Sequence, residues 1–245
     1  MISVCIATYN GKEFIKEQLD SIMAQLAEND EIIISDDMST DDTAGVISEI
    51  QDPRVRLYAH SKKKERFAID YATRNFENAL RHASGDIIFL ADQDDVWLPG
   101  KVEKMASALK HCDIVMSDCK MTDSSLNVTA LSYYKNVRPF KASLWANFVR
   151  PAFLGSCMAF RRRVLSAALP FPRCGVGHDL WLGMVGLRCF NFRFIDEPLM
   201  LYRRHQTSVT DAGINNGTTL FFKLHYRFYV MKSFCKLLFM RKNDS

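Results

Sequence analysis

At 245 residues, with 48% hydrophobic and 24% charged side chains, the chain has the composition of a globular protein long enough to bury one full core. Seven cysteines, odd in number, scattered and without a CxxC pair, argue against a disulfide framework and a zinc site, and read as small buried apolar residues. The net charge of +4 argues against nucleic-acid binding because it sits in a tail: over residues 218–245 Lys223, Arg227, Lys232, Lys236, Arg241 and Lys242 face Asp244 alone, leaving about −1 elsewhere.

Residues 2–8 form an apolar run that predicts a first strand, with Tyr9-Asn10-Gly11 as its exit turn. No charged leader or small-residue cleavage site precedes it, so a cytoplasmic location is expected. Phe14, Ile15, Leu19, Ile22, Met23 and Leu26 then recur at helical spacing. The design repeats: residues 31–35 read as a strand, Asp36-Asp37-Met38 as a loop, and Ser39-Thr40-Asp41-Asp42 as a capping start to a helix ending near Ile50. A third strand at 55–58 and a helix over 68–83 follow. Gly85 and Leu98-Pro99-Gly100 bound the next segment, whose run Ile87-Ile88-Phe89-Leu90 reads as a buried strand ending in Asp92-Gln93-Asp94-Asp95-Val96-Trp97.

This alternation predicts right-handed βαβ crossovers and a mainly parallel sheet, an α/β fold. Thr8, Asp36 and Asp92 are therefore expected at one sheet edge, where open α/β sheets bind ligands. Three carboxylates within four positions repel one another unless something cationic joins them. A divalent metal carrying a phosphorylated ligand answers this, with Asp94 as a direct oxygen ligand and Asp92 beside it or on a sugar hydroxyl; Mg2+ or Mn2+ suits such a set. The alternative is an acidic turn capping a helix that begins near Pro99.

The second half is less regular. A helix at 101–109 and a strand at 113–117 precede a polar, weakly periodic stretch, 118–143, expected to be loop-rich. A strand candidate at 153–160 and a short helix at 161–169, halted by Pro170 and Pro172, come next. Gly175 and Gly177 lead into His178-Asp179-Leu180-Trp181, whose helix runs to about Arg188, and a strand is expected at 194–202. The texture changes near Ser117. Residues 221–240 are densely apolar but interrupted by Lys223, Arg227, Lys232 and Lys236, so no membrane span is expected. Binding to a membrane surface, core packing and a disordered tail remain open readings.

The chain resembles a family-2 glycosyltransferase with the GT-A fold. The pieces that carry the resemblance are Val4-Cys5-Ile6-Ala7-Thr8-Tyr9-Asn10-Gly11, the stretch 31–41 with Asp36-Asp37, Arg74-Asn75-Phe76-Glu77, residues 85–99, and Gly177-His178-Asp179-Leu180-Trp181. The Asp-Gln-Asp-Asp-Val-Trp form and Tyr202-Arg203-Arg204-His205 are similar to rhamnosyltransferase-like members that build bacterial surface polysaccharides. Coverage runs from Ile2 to Ser208.

The resemblance implies one domain over 1–217, a nucleotide-sugar-binding half at 1–117 and an acceptor half at 118–217, followed by a basic aromatic tail at 218–245. It implies transfer with inversion from a UDP- or dTDP-sugar to a glycan acceptor, and the basic aromatic tail suggests that this acceptor is lipid-linked, as on a polyprenyl diphosphate, at the inner face of the cytoplasmic membrane. Thr8, Tyr9, Asn10 and Asp37, with Asp36 beside it, would hold base and ribose, and Arg74 the diphosphate. Asp92, Asp94 and His205 would hold Mg2+ or Mn2+. Asp179 would be the catalytic base, since inversion needs a carboxylate on the face of the sugar opposite the leaving group and from a different element than the metal site. Contacts to acceptor or phosphate are expected at Asp95, Trp97, His178, Trp181 and Arg203; most relatives carry an acid where this chain has His178. Helix capping by Asp36-Asp37 or Asp179, and surface roles for Arg74 and His205, are the competing readings.

Two other functions fit parts of the pattern. A phosphatase-type Asp-x-Asp-x-Val after an apolar strand would make Asp92 a nucleophile, but leaves Asp36-Asp37 and the two preceding βα units unexplained. A glycan-binding relative without turnover has no need of Asp92, Asp94 and Asp179 together. No GxGxxG follows a predicted strand and no GxxxxGK[ST] is present, which disfavours dinucleotide and P-loop enzymes.

Overall fold

The computed structural model describes residues 1–61, 63–205 and 220–240. The expected end of the resemblance at Ser208, the junction at 217/218, and Arg241 and Lys242 lie outside the described residues.

Strands β1 (Ile2–Thr8), β2 (Glu31–Asp36) and β4 (Ile87–Asp92) each have an unbroken apolar centre, at 4–7, 32–34 and 87–91, because central parallel strands are covered on both faces. With β3 (Val55–Ala59) they form the parallel half of the sheet in the order β3-β2-β1-β4. Helices α1 (Ile15–Met23), α2 (Thr43–Ser48) and α3 (Ala68–His82) make the crossovers. The chain winds outward from β1 to β3 and then returns to place β4 on the other side. The β1/β4 boundary is thus the switch point at which α/β sheets open a crevice. Register aligns the exits: Thr8 lies opposite Asp36, and Ala7 opposite Asp92.

Helix α3 buries Thr73, Phe76, Ala79 and Leu80 at helical spacing. Its polar residues at the buried margin are used: Asn75 Nδ2 donates to the Thr8 carbonyl at 2.9 Å and Asn78 Nδ2 to Ser35 Oγ at 2.8 Å. The helix is therefore tied to the ends of β1 and β2 whose exits build the site.

The sheet continues past β4 through β8 (Met158–Arg161), β6 (Ile114–Thr122), β9 (Phe192–Arg203) and β5 (Val96–Trp97). β8 is antiparallel to both neighbours, β9 runs parallel to β6, and β5 is antiparallel to β9. β6 passes directly over Ser117, so both halves share one sheet and one core. Helices α4 (Lys101–Ala108), α7 (Arg162–Ala168) and α8 (His178–Cys189) cover it.

One expectation needs correction: the strand expected at 153–160 begins only at Met158, after a 3-10 turn at Gly155–Cys157. The stretch 118–143 lies outside strands and helices over more than half of its length, but it also holds the end of β6 to Thr122, β7 (Val128–Ala130) and α5 (Tyr133–Asn136), with α6 (Leu144–Val149) just beyond. Asp118 explains the lack of a visible period. Its buried carboxylate accepts the backbone N–H groups of Cys119 at 2.7 Å, Tyr133 at 3.1 Å and Tyr134 at 3.2 Å, and the Ser132 hydroxyl. Polar side chains there organise backbone instead of marking a solvent face.

Helix α9 (Leu220–Leu238) closes the described chain against α8. Among the described residues no helix is long and apolar enough to cross a membrane.

Candidate functional site

The exits of β1 and β2 are knitted into one unit. Asn10 adopts a left-handed backbone, φ 51°, and its Oδ1 accepts the Thr40 N–H at 2.7 Å while its own N–H donates to Ser39 Oγ at 2.9 Å. The Asp36 carboxylate accepts the Ser39 N–H at 2.9 Å and the Ser39 hydroxyl, so it closes this loop. Asp37 is buried, donates its backbone N–H to the Thr8 carbonyl at 2.9 Å, and sets Oδ1 2.9 Å from His60 Nδ1. Asp37, His60, Lys63, Tyr71, Arg74 and Asn78 line an open cavity of about 230 Å³. The Arg74 guanidinium is anchored on Glu77 and on the Pro172 carbonyl, so it reaches this cavity as a held group, not as a solvated one.

Gln93 latches the β4 exit to the β1 exit. Its Oε1 accepts Thr8 Oγ1–H at 2.6 Å and the Tyr9 N–H at 2.9 Å, and its Nε2 donates to the Tyr9 carbonyl at 3.1 Å. A Cβ on Gly11 would stand 2.4 Å from Gln93 Oε1, so the turn after β1 needs glycine for this approach. Sequence reasoning named the acids of this run and Trp97, and missed Gln93. The signal available was the single uncharged position between them.

Asp94 Oδ2 lies 2.7 Å from His205 Nε2, and the imidazole packs on Phe14 at 4.9 Å between ring centres. Arg203 fastens the loop from beneath and is 5% exposed. Its backbone N–H donates to Asp95 Oδ1 at 3.1 Å, Nε to the Asp94 carbonyl at 2.8 Å, Nη1 to the Ser124 carbonyl at 2.9 Å and Nη2 to Glu17, with the guanidinium 4.8 Å over Phe14. The expectation that Arg203 meets phosphate or acceptor is therefore corrected: its donors are spent inside the fold.

Burial, followed by the charges of Asp94 and then Asp179, pushes the Asp92 carboxyl up to about 7; the nearby Ser156 hydroxyl and Lys101 offset part of the rise. Asp95, fully buried, is pushed up by burial and then by Asp94 and Asp92. Lys101, also fully buried, is pushed down by burial, while the charges of Asp95 and Asp92 act the other way. Its Nζ donates to the Ser156 carbonyl at 2.7 Å and lies 4.7 Å over the Trp97 ring. Trp97 is 2% exposed and packs on Phe89, so it is core and not an acceptor contact. Sequence reading passed over Lys101 and Glu17, because lysine and glutamate are taken as surface residues by default.

Asp179 occupies the second position of α8. The N-cap is Gly177 and not Asp179, while Asp179 Oδ1 accepts the N–H of Leu180 at 2.7 Å and so satisfies one of the free amides of the first turn. His178 supports it from below. The imidazole stacks on Phe76 at 4.0 Å, its backbone N–H donates to Thr73 Oγ1 at 3.2 Å, and burial pushes its pKa down. A Cβ on Gly155 would come 2.7 Å from His178 Nε2 and 3.5 Å from Asp179 Cβ. The turn that carries Ser156 beside Asp92 thus also seats Asp179, and this is how the two carboxylates converge. Trp181 is 1% exposed with Nε1 donating to the Ala168 carbonyl at 2.8 Å; it too is core, correcting its assignment to an acceptor surface.

The donor set fits a hard divalent cation. Among the described residues no group of three or more His, Cys, Asp or Glu side chains is arranged to hold a metal. Asp94 Oδ2 and His205 Nε2 nevertheless present a carboxylate oxygen and an imidazole nitrogen within 2.7 Å of each other, with Asp92 close by. Mg2+ and Mn2+ sites of this kind take one or two carboxylates and draw their remaining ligands from phosphate and water. The like-charge pressure on Asp92 is what such a cation offsets.

The model of the family described as "Glycosyl transferase family 2" matches residues 3–169. A β-1,3-glucosyltransferase of Campylobacter jejuni that acts on GalNAc(5)-diNAcBac-PP-undecaprenol is 31% identical over 88% of this chain and 69% of its own length. A dTDP-rhamnosyl transferase of Shigella flexneri is 26% identical over 86% of this chain and 75% of its own. The chain spans 65% of an uncharacterized glycosyltransferase of Nostoc, and 41% and 38% of two glucosyltransferases of Escherichia coli. Among solved structures, residues 1–349 of S. aureus TarS with UDP-GlcNAc superpose with a TM-score of 0.72 at 15% identity, covering 99% of this chain and 68% of that one. The glucosyl-3-phosphoglycerate synthase of Mycobacterium tuberculosis, with Mn2+, UDP and phosphoglyceric acid, gives 0.61 at 19% identity, covering 99% and 80%. These likenesses show the fold, a mixed α/β domain of the GT-A type.

Proposed function

The chain belongs to glycosyl transferase family 2, and on that premise we propose that it is an inverting, metal-dependent transferase moving a sugar from a UDP- or dTDP-linked donor to a glycan acceptor. The observation that carries this reading is the convergence of Asp94 and Asp179 on Asp92 from separate elements, one group beside the imidazole of His205 and the other at the start of α8.

Each part of the site has a task in that reaction. The cavity at Asp37 and His60 accommodates the base, where the Asp37 carboxylate accepts a ring N–H of uracil or thymine. Thr8, Tyr9 and Asn10, held by Gln93 and the β2 loop, shape the wall toward the ribose, which Asp92 contacts. Arg74, held at the cavity rim, faces the phosphates. Asp94 and His205 would hold a Mg2+ or Mn2+, which would supply positive charge to offset that of the departing diphosphate. Asp179 takes the proton of the acceptor hydroxyl while its oxygen bonds to the anomeric carbon, and the electron pair of the breaking bond departs with the diphosphate.

The relatives support the finer points. The Campylobacter enzyme acts on an undecaprenol-linked glycan and the Shigella enzyme is a dTDP-rhamnosyl transferase, which favours a polyprenyl-diphosphate-linked acceptor in surface polysaccharide synthesis at the cytoplasmic face of the membrane. Mn2+ and UDP in the Mycobacterium neighbour favour the metal.

The test is Asp179→Asn. Turnover of donor with acceptor is expected to fall by about 10²–10⁴-fold, the usual contribution of a general base, while calorimetric binding of UDP with Mn2+ is unchanged. Retained turnover would overturn the reading.

A further inference from the structure

Helix α9 is apolar nearly all the way round, and its two sides have different surroundings. The inner side packs on the domain: Val230 and Leu237 are buried, Phe234 meets Phe148 at 4.6 Å and Trp145 at 6.5 Å between ring centres, and Arg188 Nη2 donates to the Leu238 carbonyl at 3.2 Å. The outer side is exposed and equally apolar. At about 100° per residue, Leu238, Met231, Cys235, Phe228 and Phe239 follow one another round a single arc, all exposed, with Phe239 at 88%. Arg227 borders this arc on one flank and Lys232 and Lys236 on the other, all exposed.

The strip does not end with the helix. Trp145 of α6, 65% exposed, stands beside Phe234, Val149 one turn on is also exposed, and the exposed cations Lys141 and Arg150 bracket α6. Neither α6 nor α9 contains an acidic residue. An arc of large apolar side chains rimmed by cations, with a tryptophan at its margin, is the surface that seats in the headgroup region of an anionic bilayer. A second copy of the chain is a poor occupant, since a two-fold contact would set the same cations against each other.

We propose that the outer face of α9 together with Trp145 and Val149 of α6 is a docking surface for anionic phospholipid bilayers. Anchoring rests on the inner face of α9 holding the helix to the domain while the outer face enters the interface. The surface is read from α6 and α9 alone and does not depend on the transferase reading.

Tryptophan fluorescence isolates the event, because Trp97 and Trp181 are 2% and 1% exposed and Trp145 alone is at the surface. The full chain is mixed with vesicles of phosphatidylglycerol and phosphatidylcholine, or of phosphatidylcholine alone. A blue shift of the emission and quenching by brominated acyl chains are expected with the anionic vesicles, weakening as salt is raised. Met231→Glu with Phe239→Glu is expected to abolish the shift, and each of Lys232→Gln and Lys236→Gln to weaken binding about five-fold. UDP binding with Mn2+ stays unchanged in all three, which separates a failure here from a failure of the active-site reading. Binding of the double glutamate variant equal to that of the parent would overturn the proposal. So would sedimentation of the parent as a dimer that these glutamates dissociate, with no vesicle binding.

Discussion

Asp92→Asn is expected to stabilise the metal-free protein at neutral pH while removing its response to metal and nucleotide. In the folded chain the Asp92 carboxyl is raised from its ordinary 3.8 to about 7 by burial and by Asp94 and Asp179. Between those two pH values the folded chain keeps a proton that the unfolded chain has released. The associated stability is complete below 3.8 and is lost as pH rises through about 7. The interval, at about 1.4 kcal/mol per pH unit, amounts to about 4 kcal/mol for a group titrating alone. Asp92 retains some solvent contact and part of its shift comes from neighbouring charges that solvent screens, so about 2 kcal/mol is the realistic difference. Asparagine mimics the protonated acid, so parent and variant should melt together only at about pH 4 and below, and by pH 5 about a third of the full difference should have opened. By pH 8 the variant should melt roughly 4–8 °C higher, the shift expected of such a difference in a domain of this size. Thermal unfolding in a chelator across pH 5–8 measures this. Mn2+ with UDP should then raise the parent's melting temperature above the variant's, because a ligand that binds the folded state alone stabilises it. Parallel curves for the two proteins across this range would refute the account of the acidic cluster.

Three further outcomes follow from the packing around the site. Gly155→Ala drives a methyl against His178 Nε2 and so displaces Asp179; kcat should drop by about 10–100-fold with the donor KM unchanged. Gln93→Ala frees Thr8 and Tyr9 from three hydrogen bonds and should raise the donor KM, with a stability loss of about 1–3 kcal/mol read by urea unfolding. Trp181→Phe leaves the Ala168 carbonyl unpaired in the core, which should cost about 1–3 kcal/mol of stability and leave the acceptor KM where it was.

Much of the scaffold was legible because burial on both faces leaves a mark that needs no partner to be read. Val4 to Ala7, Ile32 to Ile34 and Ile88 to Leu90 are continuous apolar runs, and the helical spacing of Phe76, Ala79 and Leu80 names the covered side of α3. The acids at the end of β4 were visible for the same reason, since they interrupt such a run at a strand exit. The short elements within 118–143 were not visible because a polar group there satisfies local backbone: the Asp118 carboxylate ties down α5, and no periodic face records that.

Residue type also misled where burial decided the role. Trp97, Trp181 and Arg203 have the chemistry of recognition groups, yet each spends it inside the fold, while Gln93, Lys101 and Glu17 support the site without advertising themselves. The sequence alone determined the strands and helices of the parallel half and which carboxylates stand at strand ends, because hydrophobic periodicity and chain direction are local properties. Only the tertiary structure decided that the Gly155–Ser156 turn brings Asp179 against Asp92, that Arg203 underpins the acidic loop, and that α9 keeps one apolar side in contact with the domain and the other exposed. Those facts depend on where distant segments meet, and a pair interaction is set by the distance between its members in space, which their separation along the chain does not reveal.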